Sequence, residues 1–121
     1  MLQIPGSAFP MVMQVGLPVY RAALQQGYPE NDAGVKTLLA LIARTDDSNM
    51  IRRGGEERAA AVKQEITDRL PLLRMEAVMA YAAELDRRFI GENLSPGGSA
   101  DLLAVTRFLD RAAAAFMLQT E

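Results

Sequence analysis

Hydrophobic residues recur at helical spacing along most of the chain. The clearest stripe occupies positions i, i+3, i+4 and i+7 of one helix and consists of Val35, Leu38, Leu39 and Ile42. This spacing places the four side chains on one face of an α-helix. We expect the helix to begin at about Asp32 with Asn31 as its N-cap, because an asparagine side chain can accept a hydrogen bond from an N–H group of the first turn.

A second helix is expected to begin after Gly55, because Glu56 and Glu57 suit the positive end of a helix dipole. Its inward face consists of Ala59, Val62, Ile66 and Leu70. Pro71 ends it, since proline pushes the preceding residue out of the helical region. The next helix ends at Gly91, a residue type that is common just beyond a helix. Its inward face consists of Met75, Val78, Met79, Ala82, Leu85 and Phe89.

Shorter patterns near the two ends of the chain add two helices. One runs from Pro18 to Gln26 and is ended by Gly27. The other follows Ser99, a good N-cap, and its inward residues are Leu102, Val105, Leu109, Ala113 and Phe116. No stretch shows the period-two alternation of a strand. The sequence therefore predicts an all-α fold, a bundle of four to five helices that forms a single helical domain over residues 1–121 and is part of a larger helical domain.

Residues 1–18 fit this bundle less well, because they combine three prolines and two glycines with several apolar side chains. Exposed apolar patches usually become interfaces. We expect this segment to pack on a preceding domain or on a second copy of the chain, and we therefore expect a homo-oligomer.

Composition narrows the chemistry that is available. The 121 residues carry a net charge of −2, which argues against a general electrostatic contact with nucleic acid. The chain has neither cysteine nor histidine, so acid–base or metal chemistry must use Asp, Glu, Lys, Arg or Tyr. No apolar run reaches membrane-spanning length, and no signal peptide is evident. We expect a cytoplasmic protein that does not contact a membrane.

The loop over residues 45–55 contains more functional groups than a helix connection needs. Asp46 and Asp47 follow the end of a helix, where the dipole disfavours each acid by roughly 0.3–1 kcal/mol. One interpretation is that they hold Mg²⁺, which prefers oxygen ligands, while Arg52 and Arg53 contact phosphate oxygens. The alternative is that Asp47 caps a short helix and the arginines are solvated. Spacing alone leaves both interpretations open.

A second loop, NLSPGGSADLL over residues 93–103, is equally rich in polar and glycine residues. Its Pro-Gly-Gly-Ser segment can form a concave nest of N–H groups that leads into a helix N-terminus, where anions are favoured. The alternative is a plain helix connection capped by Ser99, and the chemistry alone favours it. The lysine of a P-loop is absent.

The stretches TLLALIARTDDSNMIRRGG and NLSPGGSADLLAVTRFL resemble two motifs, in the same order, of the C-terminal part of the triphosphoribosyl-dephospho-CoA synthase family. The resemblance extends from about Phe9 to Phe116. It implies an all-helical transferase that joins ATP to 3′-dephospho-CoA with release of adenine. Such enzymes make the prosthetic-group precursor of citrate lyase and malonate decarboxylase.

Together, the residues and the resemblance suggest a set of site residues. Asp47 and Asn49 are assigned as catalytic residues, and Asp46 and Asp47 as ligands of Mg²⁺. The residues assigned to phosphate or nucleotide binding are Arg53, Gly54, Gly55, Ser95, Gly97, Gly98, Ser99 and Asp101. Because two helices of similar length separate the two loops, we expect both loops at one end of the bundle.

Members of this family have a longer N-terminal part with a motif that resembles PKPGLVD, and this sequence contains no such motif. We therefore expect that the isolated chain does not turn over ATP and dephospho-CoA. The alternative function is a non-catalytic helical module that binds nucleotides or forms an oligomer.

Overall fold

Helices make up nearly all of the ranges that the computed structural model describes, which are residues 8–46, 51–52, 55–91 and 97–120. The main elements are α1 (Ala8–Met11), a π-helical turn (Val12–Gly16), α2 (Leu17–Gln25), α3 (Glu30–Arg44), α4 (Glu56–Arg69), a 3₁₀ turn (Leu70–Leu72), α5 (Met75–Gly91) and α6 (Gly97–Thr120). These ranges contain no β-strand, which confirms the predicted all-α class. Within the same ranges, no helix is both long enough and apolar enough to cross a membrane.

The first three elements form one continuous helical segment over residues 8–25. The N–H group of Leu17 donates to the carbonyl of Val12, five residues back, so the helix widens just before Pro18. Proline lacks an N–H group and its ring crowds the preceding turn of a helix, and a wider turn accommodates it. Gly27, with φ of 95°, ends the segment as predicted, because glycine adopts this backbone conformation without a steric cost.

Helix α3 begins earlier than predicted, at Glu30. Pro29 takes the N-cap position in an extended conformation, and its carbonyl accepts a hydrogen bond of 2.8 Å from the N–H group of Ala33. The prediction that Asn31 caps this helix was wrong, because Asn31 lies inside the first turn. The acidic residues Glu30 and Asp32 are also in that turn, where their negative charges interact favourably with the positive end of the helix dipole.

Helix α3 lies between two hydrophobic cores. Leu39 and Ile42 belong to the larger core, together with residues of α2, α4 and α5. Leu41 is fully buried in a second core, which includes Val12 of the π turn and Leu102 of α6. The predicted single stripe on α3 is therefore incomplete, and α3 is the central helix of the bundle.

The inward faces predicted for α4 and α5 are confirmed at their central positions, since the buried residues include Ala59, Val62, Ile66, Val78, Leu85 and Phe89. The predicted positions that are only half-buried are Leu70, Met75, Met79 and Ala82. Tyr81 is also buried, although the sequence pattern did not predict it. The 3₁₀ turn at Pro71 separates the two helices as predicted. The expectation that proline pushes Leu70 out of the helical region was wrong, because Leu70 has φ of −56° and ψ of −42° and its N–H group still donates to the carbonyl of Ile66.

Helix α6 begins at Gly97, two residues before its predicted cap. Ser99 lies inside the first turn and is fully buried, so the prediction that it is the N-cap was wrong. Asp101 is exposed and lies beyond the first turn, where the helix dipole has little effect.

The predicted inward face of α6 is only partly confirmed. Leu102 is buried, and Val105 and Leu109 are half-buried. Ala113 is exposed, contrary to the prediction. The side chain of Phe116 lies outside the described residues.

The apolar N-terminal segment packs on other helices of this chain. Val12 and Val15 are buried in the second core. For these two residues, the expectation that the segment packs on a preceding domain or on a second copy of the chain was wrong. Met13, in the same turn, is 45% exposed. Residues 1–7 lie outside the described part, and the predicted homo-oligomer stays a prediction.

Gly16 brings the N-terminal segment against α6. A Cβ atom at Gly16 would overlap the hydroxyl of Thr106, which is fully buried and donates to the carbonyl of Leu102 at 2.9 Å. The small size of glycine, rather than its backbone freedom, allows this close approach. Helix packing at this point therefore depends on both residues.

We predict that Gly16→Ala lowers the free energy of unfolding by about 1–3 kcal/mol, as overpacking does. Gly16→Ala/Thr106→Ala should be less destabilised than the sum of its single variants, because it lacks the overlapping hydroxyl. The remaining neighbour would be the Cβ of Thr106 at 3.3 Å. Denaturant unfolding of the four proteins measures this coupling, and strict additivity would contradict the proposed contact.

Candidate functional site

An ion pair lies just beyond the end of α3. Nζ of Lys63, on α4, is 2.5 Å from Oδ1 of Asp46. The side chain of Asp46 is 84% exposed, whereas that of Lys63 is 26% exposed. The hydrogen bond from Lys63, and then its positive charge, hold the pKa of Asp46 below its ordinary value. The carboxylate therefore stays ionised and holds the ammonium group of Lys63 in place.

A cavity of about 310 Å³ opens beside this ion pair. Its lining residues are Thr45, Asp46, Ile51, Glu56, Ala59, Ala60 and Lys63. The wall thus combines two carboxylates, an ammonium group and a hydroxyl group with apolar side chains. A few polar groups among apolar ones are typical of small-molecule sites.

Thr45 contributes an unsatisfied polar atom to this wall. Its Oγ1 atom is buried and has no hydrogen-bond partner among the residues that the structure describes. A buried hydroxyl without a partner costs free energy. A polar ligand atom in the cavity would remove that cost.

Gly55 forms the turn that leads from the cavity into α4. Its φ of 87° is a conformation that favours glycine, and its N–H group donates to the carbonyl of Ile51 at 2.8 Å. A Cβ atom here would meet nothing within 4 Å, so the backbone conformation alone requires glycine. The turn places Glu56, the first residue of α4, in the cavity wall.

Helix α6 runs antiparallel to α3. Glu30, at the start of α3, is 3.1 Å from a guanidinium nitrogen of Arg111, far along α6. Leu41, near the end of α3, shares the second core with Leu102, near the start of α6. Residue numbers therefore rise along α3 as they fall along α6.

This direction places the start of α6 toward the end of α3 that carries Asp46. Gly97 and Gly98 form the first residues of α6. Ser99, in the same turn, is buried inside the bundle. In their described residues, the two predicted loops thus share one end of the bundle.

Several predicted site residues lie outside the described ranges, namely Asp47, Asn49, Arg53, Gly54 and Ser95. Their assignment stays a prediction. Among the described residues, no group of three or more Asp, Glu, His or Cys side chains is placed to hold a metal ion.

Sequence reasoning missed three residues of the cavity wall: Thr45, Glu56 and Lys63. Glu56 had been explained by the helix dipole alone, and Thr45 had no assigned role. Lys63 is 17 residues from Asp46 in the sequence, and only tertiary structure brings the two together. The only local indication in the sequence is that Lys63 lies one helical turn after the buried Ala59, and therefore beside the inward face of α4.

Comparison with known proteins identifies the family to which this chain belongs. Residues 6–119 match the family model described as CitG: ATP:dephospho-CoA triphosphoribosyl transferase. The chain is also 42% identical over 105 residues to a protein of Citrobacter koseri named probable 2-(5''-triphosphoribosyl)-3'-dephosphocoenzyme-A synthase. That match covers 85% of this chain and 35% of the relative, so the chain spans about a third of the relative's length. No solved structure matches the chain significantly.

Proposed function

This chain belongs to the ATP:dephospho-CoA triphosphoribosyl transferase family, and we propose that its residues form part of the site that joins ATP to 3′-dephospho-CoA. The observation that carries the proposal is the cavity beside Asp46. Three of its lining residues, Thr45, Asp46 and Ile51, belong to the first sequence motif, and its wall combines charged, hydroxyl and apolar groups. The start of α6, which belongs to the second motif, lies toward the same end of the bundle.

The proposed reaction transfers a triphosphoribosyl group. The bond between adenine and the ribose carbon of ATP breaks, and its electron pair leaves with adenine. A ribose hydroxyl oxygen of dephospho-CoA bonds to the same carbon, and the proton that this hydroxyl loses is balanced by protonation of adenine. The ribose carbon becomes positively charged as adenine leaves, and a nearby carboxylate such as that of Asp47 would stabilise it.

The cavity wall contains oxygen ligands of the type that Mg²⁺ prefers. Asp46 and Glu56 supply carboxylate oxygens to the wall, and Mg²⁺ in nucleotide sites is held by one or two carboxylates together with phosphate oxygens. We propose that Asp46 and Asp47 hold the ion, with Glu56 as an additional candidate ligand. When bound, Mg²⁺ would neutralise part of the triphosphate charge.

The aligned segment is about a third of the relative, and we propose that turnover also needs groups from the rest of such a protein. A chimera tests this. The segment of the Citrobacter koseri relative that matches is replaced by residues 6–119 of this chain, and adenine and the product are measured by mass spectrometry with ATP, Mg²⁺ and dephospho-CoA. We expect the chimera to release adenine and the 121-residue chain alone to release little, because one part of a site does not orient two substrates.

The outcome also separates the two candidate functions. A folded but inactive chimera, together with nucleotide binding by the 121-residue chain, would favour a non-catalytic nucleotide-binding module. Adenine release at an enzymatic rate by the 121-residue chain alone would contradict the proposal that turnover needs further groups.

A further inference from the structure

We propose that Lys63 is a ligand-binding residue of this site, that it contacts a polyphosphate oxygen of a nucleotide substrate, and that Asp46 positions it. The inference rests on the proposed function and adds to it a residue that neither sequence motif contains. Three features of the structure support it: the anchoring of Lys63, the exposure of its partner and the composition of the cavity wall.

The first feature is where Lys63 is anchored. It follows Val62, a core residue of α4, and its side chain lines the cavity beside that helix. The side chain is only 26% exposed, so the ammonium group is held in the wall rather than in bulk solvent. A cation on a packed helix is held more firmly than one on a loop, which is what a binding residue needs.

The second feature is that stability does not explain the ion pair. Asp46 is 84% exposed, and ion pairs with an exposed partner contribute little to folding. An ammonium group has three N–H donors, and Oδ1 of Asp46 accepts one of them at 2.5 Å. The pair therefore fixes where the ammonium group lies, and its other two N–H donors have no acceptor among the described residues.

The third feature is the set of groups around Lys63. Asp46 and Glu56 place two carboxylates in the same wall, which would repel a bare anion. Carboxylates beside one ammonium group instead suit a phosphate chain with bound Mg²⁺, because the carboxylate oxygens would hold the metal and the ammonium group would donate to a phosphate oxygen. The buried Oγ1 of Thr45, which lacks a partner among the described residues, adds one more polar atom to the wall.

Two substrates of the proposed reaction carry such a chain, namely the triphosphate of ATP and the diphosphate of dephospho-CoA. Lys63 could serve either one, so the test includes both. Inorganic triphosphate isolates the phosphate contact, and adenosine isolates the base and ribose.

The experiment measures dissociation constants of the 121-residue chain for inorganic triphosphate, ATP, dephospho-CoA and adenosine, each with Mg²⁺. We expect Lys63→Met to weaken triphosphate binding by about tenfold to a hundredfold, the usual effect of losing a charge-assisted hydrogen bond, and to leave adenosine binding unchanged. Lys63→Arg should keep most of the affinity. A larger loss for ATP than for dephospho-CoA assigns Lys63 to the triphosphate, and the reverse assigns it to the diphosphate.

Lys36→Met is the matched control, because Lys36 is the only other lysine of the chain and its ammonium group lies over the ring of Tyr28 instead. Thermal unfolding should show that Lys63→Met folds like the unmodified chain. The proposal is overturned if the unmodified chain does not bind triphosphate, if Lys63→Met binds it equally well, or if Lys36→Met weakens it as much. If the chimera is active but Lys63→Met binds triphosphate as well as the unmodified chain, this inference is refuted and the proposed function stands. If the chimera is inactive but Lys63→Met weakens triphosphate binding, the inference stands and the proposed function is refuted.

Discussion

Asp47→Asn in the active chimera is expected to lower the rate of adenine release by about a hundredfold or more, the size of effect seen when a charge-stabilising group is removed from an active site. The substitution keeps the shape of the side chain and removes its charge. Asp47 follows the end of α3 in the sequence, where the helix dipole disfavours an acid, so the loss of its charge should leave the free energy of unfolding unchanged or slightly higher. A large loss of rate without a loss of stability would identify a residue that serves the reaction and not the fold.

Asp32→Asn is a suitable control for this prediction. Asp32 is a half-buried acid in the first turn of the same helix, at the end opposite to the proposed site. Its substitution should leave the rate of adenine release unchanged and cost roughly 0.3–1 kcal/mol of stability, because it removes a favourable dipole interaction. Full activity of the Asp47→Asn chimera would show that Asp47 has no catalytic role.

Periodicity was most informative where one helix face is buried and the other is exposed. It identified the buried centres of α4 and α5, such as Val62 and Leu85, and the chain reversal at Gly27, whose φ of 95° only glycine adopts easily. It was less informative for α3, where Leu41 is buried on the side away from the predicted stripe. A central helix between two cores does not show a single stripe, so period alone cannot locate its second buried face.

Helix starts were predicted poorly because capping residues compete. Asn31 and Ser99 are both good N-caps by type, yet α3 begins at Glu30 after Pro29, with no side-chain cap, and α6 begins at Gly97. Helix boundaries are set by backbone hydrogen bonds and packing, and a favourable side chain inside the first turn is not enough to fix them.

The residues of the candidate site also differ in whether the local sequence could predict them. Asp46 and Gly55 stand in one sequence motif and could be found from it. Lys63 and Glu56 enter the cavity wall only because α4 packs on α3. A motif reports the residues of one loop, whereas a cavity also uses residues of the helices that meet there.

Glu65 is the centre of a polar cluster that joins α4 to α5, and its replacement should have a large effect on stability. Its carboxylate accepts two hydrogen bonds from Arg88, at 2.9 and 3.0 Å, and one from the hydroxyl of Tyr81 at 2.5 Å. The guanidinium group of Arg69 lies over the Tyr81 ring, 5.4 Å from its centre. One carboxylate therefore satisfies two groups of the neighbouring helix.

We predict that Glu65→Ala lowers the free energy of unfolding by about 2 kcal/mol. Breaking a fully buried pair costs about 3–5 kcal/mol, and we reduce that value because the side chains of Glu65 and Arg88 are 27% and 39% exposed and solvent screens their charges. Asp86→Ala, an exposed position of α5, is the control and should change stability by less than about 0.5 kcal/mol. Denaturant unfolding at neutral pH measures both, and equal effects would show that the cluster adds nothing beyond an ordinary surface site.

The same cluster gives a dependence on pH with a definite sign. The hydrogen bonds from Arg88, and more weakly the one from Tyr81, lower the pKa of Glu65 from 4.5, so its contribution is complete above about pH 5 and is lost as the pH falls through the lowered value. Burial, and then Glu65, raise the pKa of Tyr81 above 10, so the folded state holds this proton more tightly and loses stability as the pH rises above 10. The stability difference between the unmodified chain and Glu65→Gln should therefore shrink as the pH is lowered from about 5 to 3. Tyr81→Phe should reduce the alkaline loss, because it removes the ionising hydroxyl. A difference between the unmodified chain and Glu65→Gln that stays constant from pH 7 to pH 3 would mean that Glu65 acts only through its shape, and the charge of the cluster would then have no part in joining α4 to α5.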